Sequence, residues 1–339
     1  MLKKTLTLIT ASCCYFILTT YTPESQREMA LIDRVMLNEL DELFSFSPQD
    51  IWNKQYVLQE HPIILVSKKK WNIYSTIFIV NKPDNYNSAW LKKVDISPYH
   101  NISNLYSTRW YDLSTLLWRF IANFTNTTID DKDALVFYYS ERSFLINDNK
   151  GVGFSQFMSH EAFHLYHQKR WNYDQNGNEF IEQYPHNHEH YQLLAREMTL
   201  LDQALDNLSD KNVLKSTLRD WVAIREKRYQ QWPQLVAETN SETMEGTATY
   251  VELKPFLLHY DEMFVPAAND TVLSFNDYFN WMISSNNHHL LERRMSYEKG
   301  LALCLILDQL SETWKQNLGE NGPTLYELLK TSVLSSEQG

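Results

Sequence analysis

The alternation of hydrophobic and polar residues divides the chain into a mixed N-terminal half and a helical C-terminal half. Residues 24–45 carry apolar side chains at helical spacing and predict a helix that ends near Pro48. Two runs rich in β-branched and aromatic residues flank Lys68 to Lys70 and predict a β-hairpin. Residues 84–104 are rich in Asn, Ser, Asp and Pro, which is typical of a loop.

The next segments predict a helix over 110–122 and a strand over 134–146. After Gly153 the strand signals nearly disappear, and a segment without Gly or Pro predicts a helix from Ser155 to Arg170. Further helical patterns follow, with polar breaks near 172–188, 207–212 and 266–272. The pattern therefore predicts an α+β fold whose second half is mainly helical and whose small β-sheet comes from the first half.

The N-terminus differs from the rest of the chain. Lys3 and Lys4 precede the uncharged stretch TLTLITASCCYFILTTY, which has the length and polarity of a secretory signal. It is short and Thr-rich for a membrane span, so an uncleaved anchor is the second interpretation and a lipid-modified Cys13 or Cys14 the third. We expect an exported protein, periplasmic, cell-envelope or secreted, that contacts a membrane only through this N-terminal anchor or lipid.

Three regions follow from these patterns: residues 1–22 as signal peptide or anchor, 23–130 as an N-terminal α/β region, and 131–339 as a mainly helical domain. Without the first region Cys304 is the only cysteine, which leaves no internal disulfide and no thiolate metal cluster. The net charge is −11, from 31 basic and 42 acidic residues without a long run of either sign, so no nucleic-acid partner is expected.

The stretch SHEAFHLYHQ carries the candidate chemistry. On a helix, His160 and His164 lie one turn apart on one face, so both imidazoles can converge on one metal ion. Glu161 is rotated by about 100° from His160, which suits a carboxylate that accepts a proton from metal-activated water rather than one that binds the metal. The alternative is a hydrogen-bonded core face that His167 extends.

Zinc requires a third protein ligand, and the sequence offers three sources. The first is a histidine-rich loop, and the second is Glu197 on the following helix. The third is a row of glutamates at helical spacing, in which Gly246 and Ala248 flank Glu245 with little side chain and so indicate the close approach of another element. The loop histidines are His186, His188 and His190, and the row consists of Glu238, Glu242, Glu245 and Glu252.

Together, HEAFH and EGTATYVE resemble the gluzincin zinc site of the aminopeptidase N group, in which H-E-x-x-H is followed by a helix of the form E-G-x-A-x-Y-x-E. The resemblance implies a zincin-like fold for residues 131–339, one zinc ion bound by His160, His164 and Glu245, and Glu161 as general base. The segment RRMSYEKGLALCLILDQL, with Trp314, also resembles exported bacterial peptidases that carry both motifs.

The resemblance covers the metal site rather than the specificity of that group. About eighty residues separate His164 from Glu245, whereas about twenty separate the two motifs in aminopeptidase N, and no G-x-M-E-N motif precedes HEAFH. We therefore expect a zinc metallopeptidase acting on a peptide or protein substrate. The alternatives are a zinc hydrolase of a non-peptide amide or ester, which would use the same residues, and a catalytically inactive zincin-fold binding protein, which the intact motif argues against.

Two supporting roles are predicted around the metal. Tyr297 is the first candidate for the donor that stabilises the oxyanion, with Tyr250 and His259 as alternatives. The imidazole N–H groups need acceptors. The candidates are Glu238 and Glu242 on the glutamate helix, and His167 and Gln168 on the metal helix.

Overall fold

The computed structural model describes residues 29–68, 74–108, 112–141, 153–173, 181–260, 274–292 and 294–334, except the side chains of Phe256, His259 and Tyr260. The predicted signal segment 1–22, the centre of the predicted hairpin turn and the predicted break at 266–272 lie outside the described residues. Within them the fold is α+β, with the strands before residue 140 and the long helices after it, apart from α1 near the N-terminus.

A six-stranded sheet has the order β3-β4-β2-β1-β6-β5. Strands β1 and β6 are parallel, and the other neighbours are antiparallel. The predicted hairpin is confirmed, because β1 and β2 pair from Ile63 with Val80 to Ser67 with Thr76. The strands are β1 Ile63–Ser67, β2 Thr76–Val80, β3 Lys92–Lys93, β4 Leu105–Thr108, β5 Thr125–Ile129 and β6 Lys132–Tyr139.

The helices pack mainly on one face of this sheet and on one another. They are α1 Leu31–Ser45, α2 Pro48–Ile51, α3 Phe154–Tyr166, α4 His188–Asp206, α5 Lys211–Gln231, α6 Glu238–Tyr260, α7 Phe275–Ser284, α8 His289–Glu292, α9 Arg294–Leu310, α10 Trp314–Asn317 and α11 Leu325–Leu334. The predicted metal-site helix is confirmed as α3, followed by a 3-10 turn at Gln168–Arg170. In the described ranges, none of these helices has the length and apolar character needed to cross a membrane.

Alternating residues of the central strands face two different cores. Ile63 and Leu65 face the helices and belong to the large core that α1, α3 and the later helices share. Ile64 and Val66 face the opposite side, where a smaller core includes Trp118. The sheet is therefore buried on both faces, and α3 lies on the helical side.

The predicted helix over 110–122 is wrong. In its described part the chain forms two short 3-10 turns, Leu113–Thr115 and Leu117–Arg119. Tertiary contacts outweigh the helical pattern here, because the Tyr138 hydroxyl donates to the carbonyl oxygens of Trp118 and Ile121 at 2.7 and 2.6 Å.

The strand predicted over 134–146 begins at Lys132 and ends at Tyr139. Residues 142–152 lie outside the described part of the chain. The pattern did not predict β3, β4 or β5; all three are short, β3 lies within the predicted loop 84–104, and β5 is the polar edge strand TNTTI.

Helices α6 and α9 touch backbone to backbone at two glycines. A Cβ built on Gly246 would lie 2.3 Å from Gly300 Cα, and one built on Gly300 would lie 2.2 Å from the Glu242 carbonyl oxygen. The close approach that Gly246 predicts is therefore confirmed, with Gly300 as its partner. This crossing fixes the position of the helix that carries Glu245.

We expect Gly300→Ala to lower the free energy of unfolding by about 1–3 kcal/mol, although alanine favours a helix interior, because the added methyl group meets backbone that cannot move aside. Urea denaturation measures the loss. The control is Gln309→Ala on α9, where the side chain is exposed and the change should cost little. Equal stability of wild type and Gly300→Ala would show that α6 and α9 can separate without cost.

Candidate metal centre

Helix α3 presents the H-E-x-x-H residues, and its N-terminus is well capped. The Gly153 backbone N–H donates to Gln156 Oε1 at 2.6 Å, and the Ser155 N–H donates to Glu39 Oε2 at 3.1 Å. Met158, Ala162 and Phe163 are buried in the large core, which fixes the rotation of the helix. His160 and His164 then point together toward α6.

The structure brings His160, His164 and Glu245 together. The two Nε2 atoms are 3.1 Å apart, and each is 3.4 Å from Glu245 Oε2. Zinc bonds of about 2.0–2.1 Å at tetrahedral angles place neighbouring ligand atoms about 3.3 Å apart, so the three atoms have the spacing of a zinc site. Among the described residues, no other set of three or more His, Cys, Asp or Glu side chains converges in this way.

Glu252 determines which nitrogen of His160 faces the cluster. His160 Nδ1 lies 3.0 Å from Glu252 Oε2. Because an ionised carboxylate only accepts hydrogen bonds, Nδ1 carries a proton, and in the neutral imidazole the lone pair therefore lies on Nε2. Glu252 follows Glu245 by two helical turns on the same face of α6.

Gln168 determines which nitrogen of His164 faces the cluster. Its amide nitrogen donates to the Met244 carbonyl oxygen at 2.9 Å and to Thr247 Oγ1 at 2.7 Å, which fixes the orientation of the amide. Its Oε1 therefore accepts from His164 Nδ1 at 2.5 Å. Two Nε2 lone pairs and a carboxylate oxygen consequently face one another, and such a set of acceptors requires a cation or a proton between them.

The pKa values of the cluster also indicate that a cation or a proton belongs between these acceptors. Burial lowers the pKa of His160, but the hydrogen bonds and charges of Glu245 and Glu252 outweigh it and raise that pKa to about 9. Burial raises the pKa of Glu245, whereas hydrogen bonds to both histidines and their charges lower it well below its usual range. Both shifts favour positive charge beside an ionised Glu245.

Glu161 lies beside this cluster and keeps a raised pKa. Burial is the main cause of the raised pKa of Glu161. The charges of the two histidines lower this pKa, and the charges of Glu245 and Glu252 raise it further. A carboxylate with a raised pKa is a better proton acceptor than an ordinary surface glutamate.

Of the oxyanion candidates, Tyr297 lies next to the cluster. Its ring is parallel to the His160 imidazole, with centroids 6.0 Å apart and 7° between the planes. Tyr250 as an alternative is wrong, because its buried hydroxyl donates to Asp308 Oδ2 at 2.7 Å and accepts from Lys315 Nζ at 2.9 Å. The side chain of His259 lies outside the described part of the chain.

The other proposed ligands lie elsewhere. His186 contacts Glu292 and Tyr191, His188 is exposed, and His190 is buried against Arg228. Glu197 does point inward, but it binds Arg225 and Arg228. None of these four side chains belongs to the converging cluster.

Glu238 and Glu242 do not accept from the imidazoles as predicted, because they belong to a buried charge network. Arg225 binds both oxygens of Glu242 at 2.6 Å, and Arg228 Nη2 lies 2.7 Å from Glu238 Oε1. Lys299 of α9 reaches Glu238 and Glu242 at 2.9 and 2.8 Å. The network consists of Glu197, Arg225, Arg228, Glu238, Glu242 and Lys299, each at most 3% exposed.

His167 is also wrong as an acceptor within the cluster. It accepts a hydrogen bond from Trp52 Nε1 at 2.8 Å, and burial lowers its pKa to about 4. The acceptor that sequence reasoning missed for His160 is Glu252. The heptad spacing between Glu245 and Glu252 was the signal that could have identified it.

Comparison of the chain with protein-family models, with curated protein sequences and with solved structures found no match. The likeness to the gluzincin site therefore rests on the two short motifs and on the geometry described above.

Proposed function

We propose that the chain is an exported, zinc-dependent peptidase with a zincin-like catalytic half. His160, His164 and Glu245 would hold one zinc ion. The observation that carries the proposal is the convergence of two Nε2 lone pairs and a carboxylate oxygen at 3.1–3.4 Å, with both Nδ1 protons engaged by Glu252 and Gln168.

A zinc ion held by these residues would act as a Lewis acid on a carbonyl oxygen and would make water acidic enough to lose a proton near neutral pH. Glu161 accepts that proton as the water oxygen adds to the carbonyl carbon. When the carbon–nitrogen bond breaks, Glu161 returns the proton to the departing amine nitrogen. Its position beside both histidines supports this role.

The developing oxyanion needs a donor besides the metal. Tyr297 stays our candidate because its ring lies against the His160 imidazole. Peptide bonds are the proposed substrate because both motifs resemble those of peptidases. A hydrolase of other amides or of esters would use the same residues, so only substrate comparison separates the two.

We expect the full chain to bind one zinc ion and to hydrolyse unmodified peptides. A chelator should abolish this peptidase activity, and added zinc should restore it. The Glu245→Ala variant should lose stoichiometric zinc because two imidazoles leave the site one protein ligand short. Metal analysis by mass spectrometry and detection of new peptide termini are the measurements.

The matched control is Glu312→Ala, since Glu312 is exposed. A wild-type chain that binds no zinc, or a Glu245→Ala variant that binds it normally, would refute the metal site. Zinc binding with cleavage of esters or acetylated amides but not of peptides would refute the peptidase assignment alone.

A further inference from the structure

A thin layer of chain covers the face of the sheet opposite the helices and exposes large apolar side chains. Leu113, Leu117 and Phe120 are 77%, 76% and 60% exposed, and three such residues within eight positions are unusual for a surface. Trp90, 53% exposed, lies two residues from Ser88, whose hydroxyl contacts Asp112 Oδ2 at 3.4 Å. We call these four residues the apolar patch.

The patch projects from an anchored segment. Trp118 is buried against the sheet, and the Tyr138 hydroxyl binds the carbonyl oxygens of Trp118 and Ile121. Buried Arg119 donates to Thr115 Oγ1 at 2.8 Å. These contacts hold the segment against the sheet, while Leu113 and Leu117 point away from the core.

Three lysines lie on the same side of the sheet. Lys68 Nζ lies 4.8 Å from the centre of the Tyr138 ring, which belongs to the smaller core. Lys93 pairs with Tyr106, which pairs with Ile79 of that core. Lys132 shares its face with Val136, because alternate strand residues point to the same side. The lysines therefore come from three different parts of the sheet.

We propose that the apolar patch, with Lys68, Lys93 and Lys132, binds the surface of an anionic lipid bilayer. Leucine, phenylalanine and tryptophan insert at the headgroup boundary, and nearby lysines are attracted to anionic lipids. Two copies that met through this face would bury three lysines from each chain, whereas anionic headgroups neutralise them. The three lysines place positive charge at separate points of this face, on a chain whose net charge is −11.

The binding would leave the candidate metal centre accessible. Helix α3 packs in the large core on the helical side of the sheet, whereas the patch covers the smaller core. A chain bound through the patch would therefore present His160 and His164 on the side away from the lipid. This surface is separate from the N-terminal segment.

Hydrogen–deuterium exchange of the full chain tests the proposal, since it reports on residues 112–121 separately from the N-terminal segment. We expect slower exchange there with vesicles of phosphatidylglycerol and phosphatidylcholine, and loss of that protection in Leu113→Ser/Leu117→Ser/Phe120→Ser. Val213→Ser/Val236→Ser/Leu334→Ser, which changes exposed apolar residues elsewhere, should keep it. Circular dichroism checks that both variants fold.

A second variant, Lys68→Gln/Lys93→Gln/Lys132→Gln, keeps the patch. It should raise the lipid concentration for half-maximal protection on the order of 100-fold, since each lysine near an anionic surface contributes about five-fold. Unchanged exchange with vesicles would overturn the proposal. Protection that appears without lipid and grows with protein concentration would also overturn it and would assign the patch to contacts between copies of the chain.

Discussion

The Glu161→Gln variant should bind zinc normally and hydrolyse peptides on the order of 10³-fold more slowly than the wild type, because glutamine has the shape of glutamate but cannot accept the proton of the attacking water. The change leaves His160, His164 and Glu245 in place, so the metal content should stay at one ion per chain. Metal analysis and kcat/KM measured on the same preparation give both values.

The control for this change is Glu189→Gln, which removes an exposed carboxylate from the start of α4. Equal kcat/KM for Glu161→Gln and wild type would remove Glu161 from the chemistry. Loss of both zinc and activity in Glu161→Gln would instead indicate that Glu161 supports the metal site rather than the proton transfer.

The metal helix could be predicted from sequence because its information is local. The spacing of His160 and His164 is one helical turn, and the segment around them contains no Gly or Pro that would interrupt a helix. Gly246 likewise indicated that something approaches α6 closely. That the partner is Gly300 could not be predicted, because the pairing of two helices distant in sequence depends on the whole packed core.

The incorrect predictions came from patterns that two environments share. The apolar spacing around Leu117 fits an amphipathic helix, but Trp118 turns toward the sheet and two leucines stay exposed. The acids at Glu238 and Glu242 have the spacing of a solvated stripe, yet Arg225 of α5 binds Glu242 in the interior. A row of acids on one helix carries no information about cations supplied by another helix.

The Arg225→Met variant should lose about 3–5 kcal/mol of the free energy of unfolding, because it leaves buried carboxylates without their partner. Arg225 donates to both oxygens of Glu242 at 2.6 Å and through Nε to Glu197 at 2.8 Å, and all three side chains are fully buried. Urea denaturation at neutral pH measures the loss. Lys227→Met on the same helix, where the side chain is exposed, should cost little.

The charge count explains why a second substitution should restore part of this stability. Three glutamates face Arg225, Arg228 and Lys299, so the wild-type network is balanced, and Arg225→Met leaves one negative charge in excess. Adding Glu242→Gln removes that excess while leaving Glu197 and Glu238 opposite Arg228 and Lys299. A double variant that is less stable than Arg225→Met would show that packing around Arg225, rather than charge balance, determines the loss.

The same network determines how the stability difference between wild type and Arg225→Met changes with pH. Burial raises the pKa of Glu197 and Glu238, but the charges of Arg225, Arg228 and Lys299 outweigh it and hold both pKa values below their usual range. In the wild type this contribution is present at neutral pH and is lost as the pH falls through the depressed pKa values. Without Arg225 the pKa values of Glu197 and Glu238 are less depressed, so these carboxylates take up protons at higher pH. Protonation then removes the excess negative charge that the substitution leaves in the network. The stability difference between wild type and Arg225→Met should therefore narrow as the pH falls from neutrality, and a difference that widens would contradict an electrostatic origin.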